Sequence, residues 1–168
     1  RDHSTELYLS AGCATFDNIT GNYSSEILLS TMLKALESIG RAETEEPLTV
    51  TEEDIKRTET ERGVRQCIEN ALENDGFELY LQPIVDAKTG RIIGAEALSR
   101  IRDTEGNIIP PGLFIPVAEN SGRINRLGEL VFDRTCKFIK ENPIEKMGIE
   151  WINVNLSPLQ FLCSDLDE

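Results

Sequence analysis

The sequence predicts an α/β protein. Short stretches with period-two alternation alternate with longer ones that carry an apolar residue every three or four positions. One helical stretch lies between two apolar strands, a βαβ unit that implies parallel pairing through a right-handed crossover. Clusters of Gly, Pro, Asp and Asn mark the boundaries between these stretches.

Taken in order, the first strand candidate is Leu7 to Thr15, followed by a polar turn from Asp17 to Tyr23. A helix is expected from Ser24, as N-cap, to Ile39, with Ile27, Leu28, Met32, Ala35, Leu36 and Ile39 as its apolar stripe and Gly40 as its stop. The acidic run from Arg41 to Pro47 reads as an exposed connection and places a domain boundary near residue 46. From Thr51 a second helix extends to Asn74, with acidic residues in its first turn and Asp75-Gly76 at its end. Val64, Cys67, Ile68, Ala71 and Leu72 share one face of it while Ile55 stands apart, so it is expected to be a linker helix that docks only by its second half.

After Gly76 the expected order is strand, turn, strand, helices and strand. Phe77 to Val85 is the first strand, Asp86 to Gly90 the turn, and Arg91 to Ile101 the second strand. A helical region begins near Pro111 and passes through Glu119. A longer helix over Asn125 to Asn142 turns Leu127, Leu130, Val131, Phe138 and Ile139 toward a core, and Ile149 to Leu156 is the last strand.

Composition excludes several function classes. The net charge of −13 argues against a protein that grips a nucleic-acid polymer by its phosphates, because that mode needs a basic surface. No apolar run approaches the roughly 20 residues of a membrane span, so neither a transmembrane helix nor a signal peptide is expected. Cys13, Cys67, Cys136 and Cys163 are widely spaced and His3 is the sole histidine, which removes thiolate and imidazole zinc sites and a Ser-His or Cys-His catalytic pair. The cysteines read as small buried residues, free thiols in a reducing cytoplasm. A metal site would have to be built from oxygen ligands.

Alternation brings the chemistry to the strands. Along the second strand Gly94, Glu96, Leu98 and Arg100 share a face, as Tyr80 and Gln82 do along the first and Trp151, Asn153 and Asn155 along the last. These polar groups fall toward the C-terminal ends of neighbouring strands, where parallel α/β proteins bind ligands. Glu96 and Asn155 offer hard oxygens suited to magnesium, manganese or calcium, and Arg100 offers a planar fork for a phosphate. Gln82 suits a polar edge of the same ligand. A bland alternative stands beside this: Glu96 and Arg100 as a buried structural ion pair, and Asn153 or Asn155 as a capping group near Ser157.

Four motifs carry a family resemblance. Phe77-Glu-Leu-Tyr-Leu-Gln-Pro-Ile-Val85, Ile93-Gly-Ala-Glu-Ala-Leu-Ser-Arg100, the run PGLFIPVAE from Pro111 to Glu119, and VNLSPLQF from Val154 follow one another as in the first half of the EAL domain. That family consists of bacterial cyclic-di-GMP phosphodiesterases. The resemblance implies a TIM-type (β/α) barrel of which residues 77–168 hold the first three strands. It also implies that Glu96 is a catalytic metal ligand and Asn155 a second ligand, that Leu98 and Arg100 contact the cyclic dinucleotide, and that Gln82 lines the same pocket. The implied cofactor is Mg2+ or Mn2+, which activates a water to yield linear pGpG.

Residues 1–46 resemble, more weakly, the C-terminal end of a GGDEF domain, and 47–76 would be the linker helix. Since a TIM-type barrel takes roughly 250 residues, the later acidic ligands, the catalytic lysine and the dimer-forming loop of the family are expected beyond Glu168. The 168 residues alone are then expected not to hydrolyse the dinucleotide, and their uncovered sheet edges invite association with a second copy. Two other readings remain open: a cyclic-di-GMP-binding module without catalysis, and a self-associating structural fragment.

Overall fold

In a computed structural model of the chain, residues 13–16, 18–39 and 48–162 are described. The chain divides into two compact units, Arg1–Arg62 and Gly63–Glu168.

The first unit contains β1 (Ala14–Phe16), α1 (Ser25–Ile39), β2 (Leu48–Val50) and the start of α2 (Glu52–Glu73). β1 and β2 pair in parallel, Ala14 opposite Leu48 and Phe16 opposite Val50, with α1 between them in sequence. Ser24 caps α1 as expected, its Oγ accepting from the Ile27 N–H at 3.3 Å. Thr31 is buried because its hydroxyl donates to the Ile27 carbonyl at 2.8 Å. Of the expected first strand, residues 7–12 lie outside the described residues, as does the acidic connection over 41–47.

Two expectations for α2 are corrected. Ile55, the residue that stands apart, is fully buried, in one cluster with Ile27 and Val50. The first half of the helix therefore docks too: a single isoleucine and the buried Thr58 suffice, although the residues around them are charged. The helix start is a reciprocal box, the Thr51 N–H donating to the Asp54 carboxylate at 3.0 Å and the Asp54 N–H to the Thr51 hydroxyl at 3.4 Å. β2 and this first half of α2, expected in a linker over 47–76, pack within the first unit.

The second unit holds the rest of α2, β3 (Glu78–Val85), β4 (Ile92–Arg102), β5 (Ile108–Ile109), α3 (Pro111–Asn120), α4 (Ile124–Glu141) and β6 (Trp151–Val154). One-turn 3-10 helices follow α4 and β6, at Ile144–Met147 and Pro158–Leu162. β4 is the central strand. It pairs with β6 in parallel, the expected βαβ crossover through α3 and α4, and with β3 antiparallel.

The antiparallel β3 departs from an all-parallel barrel fraction, and its cause is local. The turn between β3 and β4 is too short for a crossover connection. Asp86 closes it by accepting from the N–H groups of Lys88 and Thr89 and from the Thr89 hydroxyl, while Gly90 takes a φ of 67°. β5, not anticipated from two isoleucines, pairs with the end of β4 beyond the Asp103 turn.

One face of this sheet packs on the helices. Ala97 and Ile101 of β4, with Leu79 and Leu81 of β3 and Ile152 and Val154 of β6, meet Phe114 and Ala118 of α3, Ile124, Leu127 and Val131 of α4, and Val64, Ile68 and Ala71 of α2. Each large side chain buried here is worth about 1.5–3 kcal/mol. Ile139, expected to face the core, is exposed, because the buried row of α4 runs through Ile124, Leu127, Val131 and Thr135. Of the cysteines, Cys67 is half-buried, whereas Cys13 and Cys136 are exposed, contrary to their reading as buried residues; all three are free thiols.

Candidate functional site

The other face of the sheet carries the polar residues, and the strand register aligns them. Gln82 of β3 stands opposite Glu96 of β4, which stands opposite Asn153 of β6. Cross-strand partners share a face, so the three form one row across the sheet. Tyr80 faces Leu98 in the next row, Glu78 faces Arg100 in the row beyond, and on the other side Trp151 faces Gly94. Glu96 lies in mid-strand and Arg100 toward the C-terminal end of β4.

Asn155 sits just past the end of β6 and donates its side-chain amide to Glu96 Oε1 at 2.5 Å. Glu96 is therefore held by an amide and not by a cation. The backbones of Glu96 and Arg100 are about 13 Å apart along the strand, their side chains turn to other partners, and among the described residues no carboxylate pairs with Arg100. The structural ion pair considered for Glu96 and Arg100 is thus corrected. Arg100 instead donates to the carbonyl of Ser99 at 2.7 Å and lays its guanidinium over the Tyr80 ring, 5.5 Å from the centroid. The neighbouring Arg102 is the one engaged with a carboxylate, bidentate to Glu78 at 2.5 and 3.1 Å. That contact holds the Glu78 carboxyl below its ordinary value.

A cleft of about 370 Å³ lies between the end of the sheet and helices α3 and α4; Leu98, Arg100, Glu119, Leu127, Asn155 and Ser157 are among its walls, whereas Gln82, Glu96 and Asn153 do not line it. The structure thus brings Glu96, Asn155 and Gln82 together and sets Leu98 and Arg100 two and four residues further along the same strand. Tyr80, Glu119, Ser157 and Gln160 were not among the expected site residues. Tyr80 could have been found from the face it shares with Gln82 along β3, whereas Glu119 and Ser157 are 38 residues apart in sequence and no local pattern joins them.

Among the described residues no group of three or more His, Cys, Asp or Glu side chains could hold a metal ion. Glu96 and Asn155 nevertheless fit part of one shell: a carboxylate and a primary amide in direct contact, both able to present hard oxygens. The Asn155 amide faces Glu96 through its nitrogen, and a half-turn of the amide presents its oxygen in the same place.

The chain matches the EAL domain family over residues 65–166. It is 46% identical over 105 residues to the cyclic di-GMP phosphodiesterase PdeL of Escherichia coli, covering 61% of this chain and 28% of that protein. It is 34% identical over 166 residues to an uncharacterized Synechocystis protein, sll1895, covering 95% of this chain and 23% of that one. Among solved structures it resembles the PaMucR phosphodiesterase in complex with c-di-GMP, with a TM-score of 0.55, 37% identity, and coverage of 62% of this chain and 42% of the other. The chain spans about a quarter of the length of these two curated relatives.

Proposed function

Because this chain belongs to the EAL domain family, we propose that it supplies the N-terminal part of a domain that binds cyclic-di-GMP and opens one phosphodiester linkage to give linear pGpG. The observation that carries this reading is the contact of Asn155 with Glu96 in the row shared with Gln82. The names of two similar proteins support the substrate: one is a cyclic di-GMP phosphodiesterase and the other was solved with c-di-GMP bound.

Glu96 and Asn155 would hold a divalent cation, Mg2+ or Mn2+. When bound, such an ion supplies a Lewis acid for the phosphate and an activated water. Arg100, with no carboxylate partner among the described residues, offers its guanidinium fork to a phosphate oxygen. Leu98, between Glu96 and Arg100 on the same face, provides apolar contact for a base, and Gln82 hydrogen-bonds a polar edge.

The parallel β1–α1–β2 arrangement of the first unit, which runs to Val50 and so past the expected boundary at residue 46, suits the end of a GGDEF-like domain, joined by α2 to the EAL part, whose family match begins at residue 65. Free Cys13, Cys67 and Cys136 suit a reducing cytoplasm. No helix among the described residues is long and apolar enough to cross a membrane. The outer edges of β3 and β6 pair with no other strand among the described residues, which suits either further barrel segments or a second copy.

Incubating the complete protein with cyclic-di-GMP and Mg2+ or Mn2+, then separating the nucleotides, tests this reading. The expected product is pGpG. Binding without product would reassign the protein as a nucleotide-binding module.

A further inference from the structure

Asn155 lies beyond the last ladder pair of β6, Ala97 with Val154, so the sheet does not fix where its amide points. The loop that follows is fixed instead from the helical side. The Ser157 hydroxyl donates to Glu119 Oε1 of α3 at 2.6 Å. The Ser157 N–H donates to Gln160 Oε1 at 2.9 Å, the Gln160 N–H returns to the Ser157 carbonyl at 3.0 Å, and the Leu159 N–H reaches the Ser157 hydroxyl at 3.3 Å.

Gln160 is itself clamped. Its side chain is buried at 7% exposure and fills the space where a side chain on Gly128 of α4 would stand, its Nε2 only 2.0 Å from that Cβ position. Ser157, two residues after Asn155, is therefore tied to α3 by a carboxylate and, through Gln160, packed onto α4. A buried polar side chain with a glycine cut to receive it leaves the loop little freedom.

We propose that Glu119 is a positioning residue for Asn155, acting through Ser157 to keep the Asn155 amide against Glu96. This rests on the reading of Glu96 and Asn155 as ligands of a divalent cation. A carboxylate that orients a ligand in this way changes metal affinity although it never touches the metal. Glu119 needs only an acceptor oxygen for the role, so glutamine can replace it and alanine cannot.

The test is Mn2+ binding to the complete protein without dinucleotide, followed by electron paramagnetic resonance, for wild type, Glu119→Ala, Glu119→Gln and Ser157→Ala, with thermal melting alongside. Glu119→Ala and Ser157→Ala are expected to weaken Mn2+ binding by about tenfold or more, while Glu119→Gln stays close to wild type. Folded Ala variants that bind Mn2+ like wild type would overturn the proposal, even with lowered melting temperatures, because that is what packing alone predicts. If Glu119→Ala does not fold, Ser157→Ala, which loses one hydroxyl, decides by itself. A wild-type protein that binds no Mn2+ would instead remove the ligand assignment of Glu96 and Asn155, and the positioning role with it.

Discussion

The guanidinium of Arg100 lies over the ring of Tyr80, 5.5 Å from its centroid, across the β3–β4 ladder. The Tyr80 hydroxyl in turn accepts a long hydrogen bond, 3.5 Å, from Arg102, which Glu78 holds in place. The ring is thus a platform for the one arginine of this group that no carboxylate engages among the described residues.

Replacing Tyr80 with leucine is expected to weaken cyclic-di-GMP binding to the complete protein about two- to fivefold, the size of a cation–π contact worth about 0.5–1 kcal/mol at an exposed site. Tyr80→Phe keeps the ring face and should bind nearly as wild type. Calorimetric titration distinguishes the two. Equal affinity for Tyr80→Leu and wild type would mean that the ring does not orient Arg100.

Gly94 and Trp151 face each other across β4 and β6, and a methyl group on Gly94 would lie 2.6 to 2.8 Å from three atoms of the indole. The obstacle is the ring body and not a flexible tip. Gly94→Ala should destabilise the fold by about 1–3 kcal/mol, as overpacking does, read as a lowered denaturation midpoint. An unchanged midpoint would show that the indole swings aside at no cost.

Tyr23 donates to Glu52 at 2.7 Å in the first unit. The hydrogen bond pushes the Tyr23 hydroxyl from its ordinary value of 10.0 up to about 12 and holds Glu52 below 4.5. Glu52 releases its proton at lower pH in the fold than in the unfolded chain, so its contribution is present above about pH 4.5 and is lost as the pH falls through the folded value. Tyr23 works in the opposite sense: its contribution is complete below about pH 10 and is lost as the pH rises toward 12. Tyr23→Phe should lower the melting temperature at neutral pH and flatten both limbs of the stability profile. A profile with limbs as steep as wild type would assign them to other groups.

Much of the site was legible because a strand has the simplest periodicity in proteins. Alternation alone put Gln82, Glu96 and Asn153 on like faces, and the ladder then placed them in one row. What alternation does not supply is the partner: Glu96 and Arg100 share a face yet their side chains turn to other partners. It also does not supply strand direction, which the Asp86 turn decided for β3. The tertiary link of Ser157 to Glu119 and the burial of Ile55 were hidden for another reason. A lone serine or isoleucine in a polar stretch acquires its role only from a partner distant in sequence, here on α3 for Ser157 and on α1 and β2 for Ile55.

The central claim is that Glu96 serves chemistry and not stability, and Glu96→Ala in the complete protein tests it most directly. Glu96 is half-exposed and its side chain accepts from Asn155 without any ion pair to Arg100, so the variant should fold and lose about 1 kcal/mol or less. Changes outside the ligand shell alone cost about 10–100-fold in such sites. Conversion of cyclic-di-GMP to pGpG should therefore fall by about two orders of magnitude or more. An undiminished rate of pGpG formation by Glu96→Ala would contradict the account.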